Sequence, residues 1–164
     1  MSDRTPSESD CTTVLLVGAS PRDARVVSCG LKREDIAVEI AADGRDAIDR
    51  LTAVSEDDAS LPGLVALDFT RQPADSQTIL TAIRASPRLR TLRTVALVSD
   101  TVPTDDARER IQRAYEHGVD GHVFSPGGVE EYADAVQRMA VVWFNHASLP
   151  PQSLYSDAPI VNYD

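Results

Sequence analysis

The stretch LPGLVALDFTR, residues 61–71, decides how this chain can fold. Pro62 and Gly63 form a turn signal, and the uninterrupted apolar run that follows them ends at Asp68. Such a run predicts a central strand buried on both faces of a parallel sheet. Asp68 then lies at the carboxyl end of this strand, at the edge of the sheet where ligands gather. It is a candidate site residue, although an aspartate that only caps a turn has the same pattern.

Apolar runs alternate with amphipathic segments along the rest of the chain. Further strands are predicted at 12–17, 36–41, 94–98 and 122–124. Apolar positions at helical spacing predict helices at 21–31, 47–51, 79–83, 104–117 and 129–143. Ser20 is the expected cap of the first helix, Gly30 is expected to weaken that helix near its end, and 71–75 is expected to be a polar loop.

Strands that alternate with helices across short connections indicate one fold class. They predict a doubly wound α/β domain, with helices on both faces of a five-stranded parallel sheet. Right-handed crossovers leave few strand orders, and the flavodoxin-like order is the commonest at this size.

The charge balance excludes one class of partner. The chain has 16 basic and 26 acidic residues, a formal net charge of −10, and Lys32 as its only lysine. Nucleic-acid binding is therefore not expected, because it needs clustered basic charge. An acidic, lysine-poor composition is also similar to that of proteins from salt-loving microbes. Since the Debye length shrinks to about 3 Å at 1 M salt, we expect this halophilic type of fold to need salt for screening.

Length and residue distribution predict one folded domain with ragged ends. We expect a flexible N-terminus at 1–11, the domain at 12–147, and a C-terminal tail at 148–164. The sequence leaves the tail open between a disordered segment, a docked strap and a short binding motif. Cys11 and Cys29 fit buried or partly buried thiols in a reducing cytosol better than a disulfide framework. No apolar run approaches the roughly 18 residues of a membrane span, so we expect a cytoplasmic protein without membrane contact.

From residue 12 to residue 151 the chain resembles the receiver domain of two-component response regulators, especially the short single-domain kind. The likeness is carried, in order, by VLLVGASPRDAR, GLVALDF, AIRASPRLRTLRTVALVSD and AYEHGVDGHVFSP. It implies phosphorelay signal transduction, with Asp68 as acceptor of a phosphoryl group from a histidine kinase. It also implies that Ser99 contacts the phosphoryl oxygens and that His122 holds the position of a switching aromatic residue. As residues alone, Ser99 equally fits a hydroxyl bonded to backbone, and His122 an exposed strand residue.

The chain departs from the family at the metal site. The resemblance implies that Mg²⁺ is held by an acidic pair ending the first strand, by the phosphoacceptor, and by a backbone carbonyl two residues beyond it. Here the pair is replaced by Gly18 and Ala19, so that Asp68 and the Thr70 carbonyl are the matched ligands. Mg²⁺ prefers carboxylate oxygens in a near-octahedral shell, so we expect its binding to be weak or absent.

A second departure concerns the charge around the phosphoryl group. A lysine that the family places before the proline of the fifth strand is replaced by Ser125. Asp100 stands where the family has a small residue, and it is expected to add negative charge near the entry of the phosphate. Phosphoryl transfer depends on neutralising such charge, so Asp68 keeps the acceptor position without its usual support.

Three functions remain open, and none of them is enzymatic. The first is a single-domain receiver with a degenerate metal site, with Asp68 as its phosphoacceptor, that acts through protein–protein contacts. The second is a phosphorylation-independent pseudo-receiver, an interaction module. The third and most remote is a small-molecule binder that uses Gly18, Ala19, Ser20 and the next helix N-terminus as a phosphate cradle, although Pro21 removes an N–H such a cradle would use.

The expected partners are a histidine kinase or another signalling protein. A homodimer through the last two helices is the expected form of self-association, since the resemblance implies that this face switches. Its charged and aromatic residues are Arg108, Arg110, Arg113, Tyr115, Asp134 and Arg138. A solvated charged face would have the same pattern, because exposed ion pairs are worth only about 0–1 kcal/mol each.

Overall fold

The computed structural model describes residues 13–53, 61–71 and 73–145. Thr12, Cys11, the N-terminal 1–11 segment and the 148–164 tail lie outside these described residues. The described strands are β1 (Thr13–Val17), β2 (Ala37–Ala41), β3 (Leu64–Asp68), β4 (Thr94–Val98) and β5 (Gly121–Phe124). The described helices are α1 (Pro21–Lys32), α2 (Gly44–Ala53), α3 (Pro73–Ala85), α4 (Thr104–Glu116) and α5 (Val129–Asn145).

All neighbouring strands are parallel, in the order β2-β1-β3-β4-β5. The predicted doubly wound, flavodoxin-like fold is confirmed. The register pairs Val17 with Leu67 and Asp68 with Leu97, so the carboxyl ends of β1, β3 and β4 lie side by side. The connections that follow these three strands therefore converge on one edge of the sheet.

The core has one layer on each face of the sheet. Helices α2, α3 and α4 cover one face, with Leu51, Ile83 and Ile111 packed against the strands. Helices α1 and α5 cover the other, with residues such as Leu31 and Met139. Every residue of β3 and β4 is buried, as expected for strands that are apolar except for Asp68 at the end of β3 and Thr94 at the start of β4, whereas the edge strand β2 is largely exposed.

Most helix ends follow local sequence signals. Ser20 caps α1 as predicted, since its hydroxyl accepts a hydrogen bond from the Asp23 N–H at 3.1 Å. The helix α1 continues through Gly30 to Lys32. Cys29 on this helix is exposed, so the prediction of a buried or partly buried thiol is wrong there, because its side chain lies on the solvent side of α1. The predicted loop at 71–75 is wrong in its second half, because α3 begins at Pro73, a residue suited to the first helical position. Within the described residues, no helix combines the length and apolarity needed to cross a bilayer.

Candidate functional site

Asp68 is the last residue of β3 and is 4% exposed. Its Oδ1 accepts a hydrogen bond from the Thr70 N–H at 2.6 Å, whereas its Oδ2 is buried without a hydrogen-bond partner among the described residues. The Asp68 carbonyl accepts a hydrogen bond from the Ser76 hydroxyl at 2.6 Å, which ties the strand end to α3. Burial raises the pKa of Asp68 to about 6, and the hydrogen bonds from Thr70 offset only part of this effect.

A cavity of about 60 Å³ lies beside the Asp68 carboxyl group. It is lined by Val17, Gly18, Ala42, Asp43, Gly44, Asp68, Arg71, Asp75, Ser76 and Ile79. Gly18 has a φ of +80° and no atoms near its absent Cβ, so it leaves open the space that a side chain would enter. This volume is far below the roughly 300–1,000 Å³ of small-molecule sites, so the cavity is too small for a flavin or a nucleotide.

The loop that follows β1 uses its donors within the chain. The Gly18 N–H donates to the Ala41 carbonyl at 3.1 Å, and the N-terminal N–H of Asp23 is capped by the Ser20 hydroxyl. Ala19 does not line the cavity beside Asp68. It lies instead in an open groove of about 1,020 Å³ along the outer side of α1. These contacts weigh against the phosphate cradle on which the small-molecule function depends.

Arg22 makes a connection between α1 and the end of β4 that the sequence analysis missed. Its Nη1 lies 2.8 Å from Asp23 Oδ1, 3.1 Å from Ser99 Oγ and 2.8 Å from Asp100 Oδ1. Its Nη2 lies 3.0 Å from Asp100 Oδ2, so the contact with Asp100 is bidentate. These hydrogen bonds raise the pKa of Arg22 further and lower that of Asp100. We call these four residues the Arg22 bridge.

Asp23 was overlooked because an acid three residues after a cap is an ordinary start of a helix. Its side chain is nevertheless buried, with the residue 4% exposed, and Ser99 Oγ lies 3.1 Å from its Oδ1. A signal was available in the sequence, because Asp23 precedes Val27 by four residues and therefore shares the apolar face of α1. A charge on that face has to find a partner.

Ser99 is fully buried and is joined to both sides of the site. Its N–H donates to Thr70 Oγ1 at 2.9 Å, and Thr70 in turn contacts Asp68. Its hydroxyl lies 3.1 Å from the Asp23 carboxylate and 3.2 Å from the Asp100 carboxylate, and it can donate its hydrogen bond to either one. The hydroxyl also accepts a hydrogen bond from the Thr101 N–H at 3.3 Å, so both backbone and side-chain groups contact Ser99 Oγ. The structure brings Asp68, Thr70 and Ser99 together.

The residues present do not fit a Mg²⁺ site. Gly18 and Ala19 offer no side-chain oxygen, so the carboxylate of Asp68, with Oδ1 bonded to the Thr70 N–H and Oδ2 without a described hydrogen-bond partner, lacks the two acids that would complete the site. The Thr70 carbonyl oxygen, the second expected metal ligand, accepts a hydrogen bond from the Arg110 guanidinium. A positively charged group therefore already lies where the metal ion would bind. In the described ranges, no three or more histidine, cysteine, aspartate or glutamate residues form a group that could hold a metal ion.

His122 and Ser125 lie on β5 and just after it. His122 is 1% exposed, so the interpretation of it as an exposed strand residue is wrong. Its Nδ1 lies 2.8 Å from the Tyr115 hydroxyl, and the two rings meet edge to face. Burial lowers the pKa of His122 to about 4, so it is neutral near pH 7. The Ser125 hydroxyl donates to Glu131 at 3.3 Å and gives no cation to the site.

The predicted dimer face is less open than its sequence implies. Arg110 turns inward to the Thr70 carbonyl, and Tyr115 bonds to His122. Asp134 pairs with Arg33 of α1 at 2.7 Å. Arg113 lies 4.0 Å from Glu109 on the same helix, so at least four of the six residues expected to face a second copy have partners within the chain.

Comparisons with known proteins agree with this architecture. No family model matches the chain. The Mn(2+)-bound form of response regulator Rcp1 is 28% identical with a TM-score of 0.64, over 84% of this chain and 98% of that one. Response regulator RPA3017, in red light signaling of R. palustris, is 25% identical with a TM-score of 0.66, over 84% of this chain and 97% of that one.

A curated relative points the same way. The probable methanogenesis regulatory protein FilR2 of Methanothrix harundinacea (strain 6Ac) is 29% identical over 106 residues, which make up 65% of this chain and 65% of that protein. The match thus spans just under two thirds of that relative's length. The chain thus has the fold of solved response regulators and is similar to them in sequence, and this likeness to response regulator receiver domains indicates a role in two-component signalling.

Proposed function

We propose that this chain transmits a signal through protein–protein contacts, as a receiver that keeps an acceptor position in Asp68 but has lost its metal support. The observation that carries the proposal is the hydrogen bond from Arg110 to the Thr70 carbonyl, at a site where Gly18 and Ala19 supply no carboxylate. The acceptor therefore remains, while the oxygen ligands that would bring a divalent ion to it do not.

The chemistry of phosphoryl transfer explains what this loss implies. An acceptor carboxylate needs charge on the transferred group to be neutralised and the reacting atoms to be held in line. Asp68 is mostly ionised at pH 7, given its pKa of about 6, so it is a competent nucleophile. The nearby Arg22 guanidinium is already engaged by two carboxylates, however. Phosphorylation of Asp68 should therefore be slow without help from a partner.

Intact mass spectrometry tests this proposal. The protein is incubated with acetyl phosphate and Mg²⁺ in molar potassium chloride, beside the Asp68→Asn variant. We expect little or no gain of mass that depends on Asp68. A rapid and nearly complete gain in the wild-type protein alone would show that other groups supply the missing charge, and would overturn the proposed loss of metal support.

The proposed partners are a histidine kinase or another signalling protein, with self-association through α4 and α5 as a second possibility. Two large apolar side chains are exposed in the described part of the chain, Val129 at the start of α5 and Ile40 on β2. Sedimentation in molar salt can separate these surfaces. A dimer through α5 should be lost in Val129→Asp and kept in Ile40→Asp, whereas a strict monomer at high concentration would reject self-association.

A further inference from the structure

The proposed function does not explain why the Arg22 bridge is present. The bridge joins the first turn of α1 to the connection after β4, across 78 positions of sequence between Arg22 and Asp100. Asp23 and Ser99 are buried, whereas Asp100 is partly buried and the Arg22 side chain is 36% exposed. Buried charges of this kind need partners, and here each finds them within the bridge.

A carboxylate of the chain already holds the donors that a phosphate near Ser99 would use. An anion there needs a hydroxyl donor and a cation within hydrogen-bond distance. Asp23 Oδ1 has both, with Ser99 Oγ at 3.1 Å and Arg22 Nη1 at 2.8 Å. Asp100 accepts two further hydrogen bonds from the guanidinium, from Arg22 Nη1 to Oδ1 and from Nη2 to Oδ2.

The charges of the bridge also oppose a further anion. Arg22 contributes one positive charge, and Asp23 and Asp100 contribute two negative charges. An arriving phosphoryl group would meet a net negative cluster, and it would have to displace a bidentate carboxylate to reach Arg22. The arrangement is thus complete without a ligand.

We propose that the Arg22 bridge is a built-in substitute for the phosphoryl group, in which Asp23 and Arg22 hold Ser99 in one arrangement without phosphate or metal. This inference rests on the proposed receiver function and assigns Arg22 as a positioning residue. The connection after β4 is fixed through it, because the Thr101 N–H and hydroxyl both approach Ser99 Oγ, at 3.3 and 3.2 Å. The Ser99 N–H fixes Thr70 in the same way.

Amide hydrogen exchange of the full chain, in molar potassium chloride and without any phosphoryl donor, tests the bridge. Arg22→Gln removes the cation, and Arg25→Gln is the matched control, an exposed arginine one turn further along α1. We expect exchange at the Ser99 and Thr101 amides to rise at least about tenfold in Arg22→Gln and not in Arg25→Gln. The Leu15 amide in β1 should be unchanged in both variants.

A second variant keeps the test decisive if Arg22→Gln does not fold. Arg22→Lys retains the charge, but a single ammonium group cannot make the forked contact with Asp100. It should show the same local rise in exchange at Ser99 and Thr101. Unchanged protection in the folded arginine variants, or a rise of equal size in Arg25→Gln, would overturn the proposal.

Failure of the bridge and failure of the proposed function have different signatures. Exchange in the absence of a donor reports only on the bridge. The gain of mass with acetyl phosphate reports only on the acceptor. Adding acetyl phosphate and Mg²⁺ to the wild-type protein should leave exchange at Ser99 and Thr101 unchanged, and a marked change there would show that an external anion can replace Asp23, against the inference.

Discussion

Replacing Asp68 by asparagine should remove a pH dependence of stability that the wild-type chain carries. Burial raises the pKa of Asp68 from 3.8 to about 6, so the folded state favours the protonated carboxyl. Its contribution to stability is complete below the unfolded pKa and is lost as the pH rises through about 6. A gap of about two pKa units corresponds to about 3 kcal/mol of unfolding free energy.

His122 contributes with the opposite sign. Its folded pKa is lowered from 6.5 to about 4, so its contribution is present above the unfolded value and is lost as the pH falls through the folded one. In the wild-type protein the contributions of Asp68 and His122 change in opposite directions between about pH 4 and about pH 6, so the wild-type profile alone isolates neither group. The difference between the wild-type protein and Asp68→Asn isolates the carboxyl group, because His122 is common to both.

Guanidinium unfolding between about pH 4 and about pH 8 is the assay. Asparagine retains an oxygen for the Thr70 N–H but buries an amide where Oδ2 has no described partner, which gives a constant offset. On top of this offset, the stability of Asp68→Asn relative to wild type should rise by about 3 kcal/mol from the acidic to the alkaline end. Asp49→Asn, an exposed change on α2, should show no such rise. An offset for Asp68→Asn that is the same at every pH would refute the argument from burial.

Three further predictions follow from packing, hydrogen bonding and charge. Gly30→Ala should destabilise the fold by about 1–3 kcal/mol although alanine favours helices, because the added Cβ would lie 2.5 Å from the Ala133 carbonyl oxygen. Thermal unfolding measures this loss, and Ser28→Ala on the same helix is the control. Tyr115→Phe should cost about 1 kcal/mol in denaturant unfolding and shift the NMR signals of the His122 ring, since it removes the 2.8 Å hydrogen bond; unchanged signals would contradict that contact. With a net charge of −10, the melting temperature should rise from dilute buffer to molar potassium chloride, and a value that stays level would reject the need for salt.

The sequence alone determined the fold class and the place of Asp68, the proposed acceptor. The apolar run of β3 is local information, since a strand buried on both faces can carry no polar residue until it reaches the edge of the sheet. The position of Asp68 follows from where that run stops. The absence of carboxylates at Gly18 and Ala19 is likewise a matter of residue identity. None of these conclusions needed a contact between distant segments.

Only the tertiary structure decided which charged and polar groups pair at the site. Arg22 lies 78 positions from Asp100, and Arg110 lies 40 positions from Thr70, so neither pairing leaves a periodic trace in the sequence. An arginine on a helix is normally solvated, and which acceptor its long side chain reaches depends on how the connections converge at the sheet edge. The burial of His122 could not be predicted either, because the sequence of a four-residue strand does not reveal whether a helix such as α4 covers its side chains. Local patterns determine the elements, whereas burial and long-range charge pairing arise when those elements pack together.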